Sequence, residues 1–349
     1  MARVAVLLSL VLATVATDQL GVAKPAPLVD KLLAWDAHQY LEVAEHGYRA
    51  VPYAFRFFPG FPLLARGLGT LLGGHAGLAM LLIANGCALA FGAVLYRLVC
   101  RETSDPRTAR LAVWFALATP ATAPLVMGYA ESLGLLAVVV AFFAARQGRW
   151  RLTALSAASV GLTWSIGAAF ALPLAIEAAR GWRRARPLER VWRAVAVAAP
   201  VLVTGAYLAW VERETGSGWR EVYGVQTKVY HRGFAEPVGR MVRAARDLVA
   251  GHHAQGIQFL WAVLALALLV VLARRLPASY TAWVVVVFLV GISADNIDSF
   301  ERYLMRAFPL AVAGALLVRD DRTERAAVSL GLAGLVVYGT AIFLGARVP

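Results

Sequence analysis

The sequence predicts an all-α, polytopic integral membrane protein with about eleven membrane segments. Three observations carry this expectation. Sixty per cent of the 349 residues are hydrophobic and only 16% are charged, against about 45–50% and about 25% in an average soluble domain. Apolar runs recur at close to the 20 or so residues that a helix needs to cross a bilayer. Basic residues, almost all of them Arg, gather in the connections between alternate runs, as the positive-inside tendency requires. The net charge of +13 is therefore a topology signal and not a nucleic-acid footprint. Membrane lipids are expected as partners and nucleic acid is not.

The first run, roughly 4–22, begins with Arg3 and ends at Thr17, Asp18 and Gln19. Its basic start and small residues also fit a cleaved signal peptide. The equally apolar remainder of the chain favours a retained first helix. Further runs read at roughly 76–98, 110–127, 129–146, 192–211, 257–273, 279–293, 304–318 and 326–345. Cys87 and Cys100 lie on what reads as one helix and stand about 20 Å apart at helical rise, too far to bridge.

The stretch 152–179 is flanked by two basic clusters, Arg146, Arg149 and Arg151 before it and Arg180, Arg183, Arg184, Arg186, Arg190 and Arg193 after it. A single crossing would place one cluster outside. Two short helices breaking near Thr163–Gly167 place both inside, and such a hairpin is tolerated when packed within protein or lining a cavity. With the N-terminus inside and the C-terminus outside, the inner side holds 19 basic and seven acidic residues, and the outer side 15 basic and 14 acidic. Residues 1–349 read as a single membrane-embedded domain. Its non-spanning stretches, 24–75 with interfacial helices and 212–256, form a first and a second outer loop.

The first outer loop carries the most informative stretch, "WDAHQYLEVAEHGY" at 35–48. Asp36 stands at a helix N-cap position with Gln39 three residues later, an Asp version of the capping box. Gly47 suits the C-cap. The helix expected at 37–46 places Ala37, Tyr40, Leu41 and Ala44 on one stripe. It would lie along the membrane surface with Trp35 and Tyr40 at headgroup level. This interfacial reading explains Asp36 without catalysis. It leaves unexplained "YAFRFFPGFPLL" at 53–64, whose aromatics, Arg56 and prolines make a stiff, bulky outer loop.

These two stretches together resemble the signature of the GPI mannosyltransferase PIG-V family and its bacterial homologues, multi-spanning GT-C glycosyltransferases. The resemblance continues in order along nearly the whole chain. "MGYAESLGLLAVVVAFFAARQGRW" at 127–150 is similar to the family's Tyr-x-Glu-Ser segment, and "GLTWSIGAAFALPLAIE" at 161–177 to its Gly-Leu-x-Arg-Pro-x-Gly segment. "RETGSGWREVYGVQTKVYHRGFAEP" at 213–237 resembles the outer loop with a Thr-Gly pair, a Gln and a later Arg. "FERYLMRAFPL" at 300–310 resembles the Arg-Tyr-Leu…Phe-Pro segment. The chain departs from the pattern at Trp164, where the family usually has Arg, at Gly60, and at "YHRG" (230–233) in place of Trp-Gly-Arg.

The resemblance implies a GT-C-like fold in a cell's plasma membrane. It implies mannose transfer, with inversion, from a polyprenyl-phosphate mannose donor to a hydroxyl of a lipid, glycan or protein acceptor on the outer face. The lipid-phosphate sugar is a substrate, and no cofactor or metal is expected. His38 with Glu42, or His252 with His253, does not supply three converging ligands at a known spacing. Such a transfer needs a base for the acceptor hydroxyl and cationic donors for the leaving phosphate.

The resemblance assigns the base to Asp36. Glu131, at the outer start of a run, is an ionisable residue at membrane depth, hence a functional position by default, or else an acid favoured by the helix dipole. Arg302, beside Tyr303, suits bidentate phosphate binding. It also suits a snorkelling anchor or a partner for Asp298 one turn earlier. Arg56 and Arg232 are further phosphate candidates whose plain reading is solvated. His38, next to Asp36, and Gln226, in the second loop, complete the candidate substrate-binding set. Asp295, Asp298 and Glu301 read as a solvated acidic loop. A transporter or lipid flippase would share many of these features, but no internal repeat is evident and the polar residues concentrate in the outer loops.

Overall fold

A computed structural model describes residues 1–21, 27–228, 236–251, 253–293 and 299–346. Among these residues every regular element is a helix. Helix α1 (Ala2–Leu20) stops at Gly21, whose left-handed φ of +61° closes the helix. A short α2 (Leu28–Leu32), α3 (Asp36–His46) and α4 (Gly60–Leu71) make up the first loop, with a 3₁₀ turn at Ala54–Arg56. Then come α5 (Ala76–Thr103) and α6 (Pro106–Leu117). Asp105 starts α6 by accepting hydrogen bonds from the amides of Arg107 and Thr108, a standard N-cap role.

Helices α7 (Glu131–Arg146), α8 (Trp150–Thr163) and α9 (Ala171–Ala179) follow, then the long α10 (Pro187–Thr215). Helix α7 is apolar on every side and mostly buried, with Leu135, Val138, Val139 and Phe142 fully enclosed. A helix of that composition belongs in a core. The break expected in 152–179 is present: α8 ends at Thr163 and only a 3₁₀ turn, Gly167–Phe170, precedes α9. Both arms pack against α10, where Trp150 and Ala154 share a cluster with Ala178 and Ala196. Small residues permit this closeness, as in membrane helix packing generally. A Cβ on Gly161 would meet the Pro200 carbonyl of α10 at 2.5 Å.

The second loop holds α11 (Gly218–Lys228) and α12 (Pro237–Val249). Val222 and Tyr223 of α11 pack on Val51, Ala54 and Phe55 of the first loop, so the two loops cover one end of the molecule together. The chain closes with α13 (His253–Arg275), α14 (Ala278–Ile292), α15 (Phe300–Met305), α16 (Pro309–Ala315) and α17 (Asp321–Phe343). Within α1, α5, α10, α13 and α17 lie five stretches long and apolar enough to cross a membrane.

Two expected runs are broken. The run at 110–127 stays α-helical only to Leu117 and continues as a 3₁₀ segment, Pro120–Leu125, because Pro120 and Pro124 supply no N–H for a continuing helix. The run at 304–318 divides into α15 and α16 around Arg306. There Pro309 has no amide to donate, and its ring would clash with the carbonyl of residue 305.

The charge sorting has a structural counterpart. Arg107 and Arg110 pair with Glu324, Arg107 also with Asp321, Arg146 with Glu102 and Glu177, and Arg193 with Glu189. All belong to the set expected on the inner side. Arg49 with Glu214, Arg302 with Asp36, and Arg306 with Glu131 belong to the outer set. None of these pairs joins the two sets.

Candidate active site

Five pieces of chain meet here: the start of α3, the 3₁₀ turn at Ala54–Arg56, the start of α7, the break after α8 at Thr163–Ser165, and the segment running from α15 to α16. They enclose a cleft of about 350 Å³. Asp36, Arg56, Glu131, Arg302 and Arg306 line it, with the rings of Tyr40, Trp164 and Tyr303 between them.

Asp36 does not cap α3. It is the first helical residue, and Trp35 occupies the cap position with φ +61° and no side-chain capping bond. The carboxylate turns to two guanidinium groups: Oδ2 lies 2.9 Å from Arg302 Nη1, and Oδ1 lies 3.5 Å from Arg56 Nη2. The Asp36 amide donates to Tyr129 Oη at 3.2 Å. Glu131 opens α7 and is 2% exposed. Its Oε1 accepts from Arg306 Nη2 at 3.0 Å and lies 3.9 Å from Arg302 Nε. Arg302 and Arg306 are only 5% and 8% exposed, which removes the snorkelling reading of Arg302. The Arg302 guanidinium lies over the rings of Tyr129 and Tyr303, and that of Arg306 over Trp164 and Tyr303.

Among the described residues that line the cleft, three guanidinium groups face two carboxylates, a formal excess of one positive charge. Such a site suits an anion. The Nε groups of Arg302 and Arg306 are buried and make no hydrogen bond to the described residues, so each has donor capacity left for a ligand. Burial, and then the charges of Glu131 and Asp36, push the Tyr40 phenol upward, which keeps it protonated beside them.

Backbone geometry marks the same place. Only four described non-glycine residues have positive φ, and three of them (Trp35, Tyr53 and Ser299) lie one to three residues before Asp36, Arg56 and Arg302. That conformation is uncommon for large side chains and clusters where function over-determines the backbone.

Asp36, Glu131, Arg302, Tyr303 and Arg56 therefore meet in one cleft. Arg56, expected to be solvated, pairs with Asp36 and stacks on Phe57 at 4.4 Å. Tyr40, expected at headgroup level, packs edge-on against Phe57 and Phe61, because the first loop folds over it. His38 departs from expectation. Its side chain is 60% exposed, faces Glu42 at 3.9 Å and does not line the cleft, since the third residue of α3 points away from the stripe of buried Ala37, Val43 and Ala44. Arg232, Asp295, Asp298 and His252, and the side chain of Gln226, lie outside the described residues. Arg306 was not among the expected residues. In sequence it reads as an ordinary cation inside an apolar run, and the one signal was Pro309, which breaks that run and turns Arg306 inward.

No family model matches the chain. Among curated proteins it is similar to GPI alpha-1,6-mannosyltransferase 2 of Rattus norvegicus, 36% identical over 115 residues, covering 30% of this chain and 23% of that protein. The Homo sapiens protein of the same name is 32% identical over 156 residues, covering 40% of this chain and 31% of that protein. The chain thus spans less than a third of the length of these relatives. In structure it is similar to ArnT from Cupriavidus metallidurans bound to undecaprenyl phosphate, with a TM-score of 0.52 and 14% identity over 98% of this chain and 75% of that one. The apo ArnT structure aligns with the same TM-score over 93% and 71%. The chain has the ArnT fold.

Proposed function

We propose that this chain is an integral-membrane glycosyltransferase that moves mannose from a polyprenyl-phosphate donor to a hydroxyl of a lipid, glycan or protein acceptor. The observation that carries the reading is the placement of Asp36 against Arg302 and Arg56 in one cleft with excess positive charge. A base and an anion site stand side by side, as displacement of a sugar from a phosphate requires. The ArnT fold and the mannosyltransferase relatives support the same class.

In this reading the acceptor O–H gives its proton to Asp36, and the acceptor oxygen attacks the anomeric carbon. The bond from that carbon to the phosphate oxygen breaks from the opposite face, so configuration inverts and polyprenyl phosphate leaves. Arg302, Arg306 and Arg56 receive the charge that develops on the leaving phosphate. Glu131 holds Arg302 and Arg306 in place, with Tyr303 and Trp164 as flat supports. The cleft faces the outside of the plasma membrane, with the N-terminus in the cytoplasm.

A second cavity supports a lipid-borne donor. An apolar groove of about 560 Å³ runs between α13, α16 and α17, lined by Trp261, Leu264, Leu304, Phe308, Ala311 and Leu330 among others. It shares the α15–α16 segment with the cleft, and so offers a place for a polyprenyl chain whose phosphate sits at Arg302 and Arg306. The test is incubation of membranes containing the chain with polyprenyl-phosphate mannose labelled in the sugar. Transfer of label to an acceptor, with release of polyprenyl phosphate, is expected. No transfer to any lipid, glycan or protein acceptor would overturn the proposal.

A further inference from the structure

A further cavity lies at the other end of the molecule. A groove of about 1060 Å³ runs between α9 and α10, floored by small residues such as Ala175, Ala178 and Ala198 and flanked by the exposed Val201 and Leu202. Its mouth is the turn Trp182–Arg184. The break at Trp164 and Ser165 borders the candidate active site, and α9 runs away from it, so this mouth is on the opposite side from Asp36.

The turn is a built feature. Gly181 takes a left-handed φ of +64°. Arg190 donates to the Trp182 and Arg183 carbonyls, at 3.2 and 2.9 Å. Arg193 donates to the carbonyls of Ala178 and Arg180. Two arginines of α10 thereby hold the turn from beneath, while the Arg183 and Arg184 side chains stand exposed at the mouth beside a partly exposed Trp182. The local acids are already engaged. Glu189 pairs with Arg193, and Glu177 is buried against Arg146, Arg180 and Ser279. Among the described residues no carboxylate lies within ion-pair distance of Arg183 or Arg184. Six arginines against two acids between positions 177 and 193 leave a local excess of positive charge.

We propose that this groove is a binding site for an anionic glycerophospholipid. Its phosphate lies at Arg183 and Arg184, Trp182 stands at the level of the lipid backbone, and an acyl chain lies along the alanines between α9 and α10. Charge complementarity selects the headgroup, and the apolar groove selects a lipid over a free phosphate. Basic pockets between membrane helices recognise anionic headgroups in this way. The site needs neither the donor nor the candidate active site.

The full chain in a neutral detergent is titrated with phosphatidylglycerol or with phosphatidylcholine of the same chains, and retained lipid is read by native mass spectrometry. Phosphatidylglycerol should be retained in preference. The double variant Arg183→Gln/Arg184→Gln should bind it about thirtyfold more weakly, from about 1 kcal/mol per arginine, while keeping the melting temperature of the lipid-free protein. The groove-filling Ala198→Leu should weaken retention of both lipids, and inorganic phosphate alone should not compete. Equal retention of the two lipids, an unchanged affinity in the arginine variant, full competition by inorganic phosphate, or a dimer that buries the groove instead of lipid would each overturn the proposal.

Discussion

Arg302 Nη1 lies 2.9 Å from Asp36 Oδ2, although 266 positions separate the two residues in the chain. The contact exists because α15 is a short, broken helix whose first turn enters the cleft instead of continuing a membrane span. Arg302 also lies near Glu131 and over Tyr303. Replacement by Lys keeps the charge but loses the planar, multi-donor fork. Arg302→Lys is expected to lower kcat for transfer by about 10²–10³, the scale of losing a donor to a developing oxyanion. Steady-state kinetics with purified protein check this.

Glu131 is the shared counter-charge of two buried guanidinium groups. Glu131→Gln leaves Arg306 without a buried carboxylate, and breaking a buried pair from one side costs about 3–5 kcal/mol. Removing both members, in Glu131→Gln/Arg306→Met, should cost less than the sum of the single changes. A thermal-denaturation double-mutant cycle reads the coupling.

Gly134 sits one turn into α7, where a Cβ would meet the Trp164 ring at 2.2 Å. Gly134→Ala should push Trp164 toward Arg306 and cost about 1–3 kcal/mol of overpacking. A lower melting temperature, with donor KM raised more than acceptor KM, is the expected result. Donor and acceptor titrations separate the two.

Asp105 caps α6, and its carboxyl is held below the usual range, first by the Thr108 hydroxyl and then by the Arg107 amide. A group with a depressed folded value stabilises above its ordinary titration point, and that contribution is lost as pH falls through the folded value. Melting temperature should therefore drop on acidification through and below the ordinary carboxylate range. The drop should be smaller in Asp105→Asn, which already lacks the charge. Parallel melts of the two proteins over that range check the sign.

The sequence pattern anticipated much of this arrangement. The hairpin break at Thr163–Gly167 followed from two basic clusters that had to share a side, and α8 indeed ends at Thr163 before the 3₁₀ turn Gly167–Phe170. Glu131 and Arg302 stood out as charged residues at the ends of apolar runs and Asp36 through the pattern of the first outer loop and its resemblance, and all three face one cleft. What escaped was set by the third dimension. Asp36 was readable as a cap because its spacing to Gln39 fits one, and only the left-handed Trp35 aims the carboxylate elsewhere. Arg56 pairs with Asp36 through the folding of the whole first loop, which no local pattern encodes. Arg306 lies mid-run, and its inward turn depends on the break at Pro309. His38 was drawn in by its nearness to Asp36 in sequence, but residues two apart along a helix point about 200° apart.

The most direct test of the account is Asp36→Asn in the labelled polyprenyl-phosphate mannose assay, with melting temperature measured on the same preparation. A neutral side chain of nearly the same shape keeps hydrogen bonding but cannot take the acceptor proton. The expected result is a folded protein that retains the lipid donor and transfers mannose more slowly by a factor on the order of 10²–10⁴, the usual worth of a general base. A folded Asp36→Asn protein that transfers mannose at the wild-type rate would contradict it.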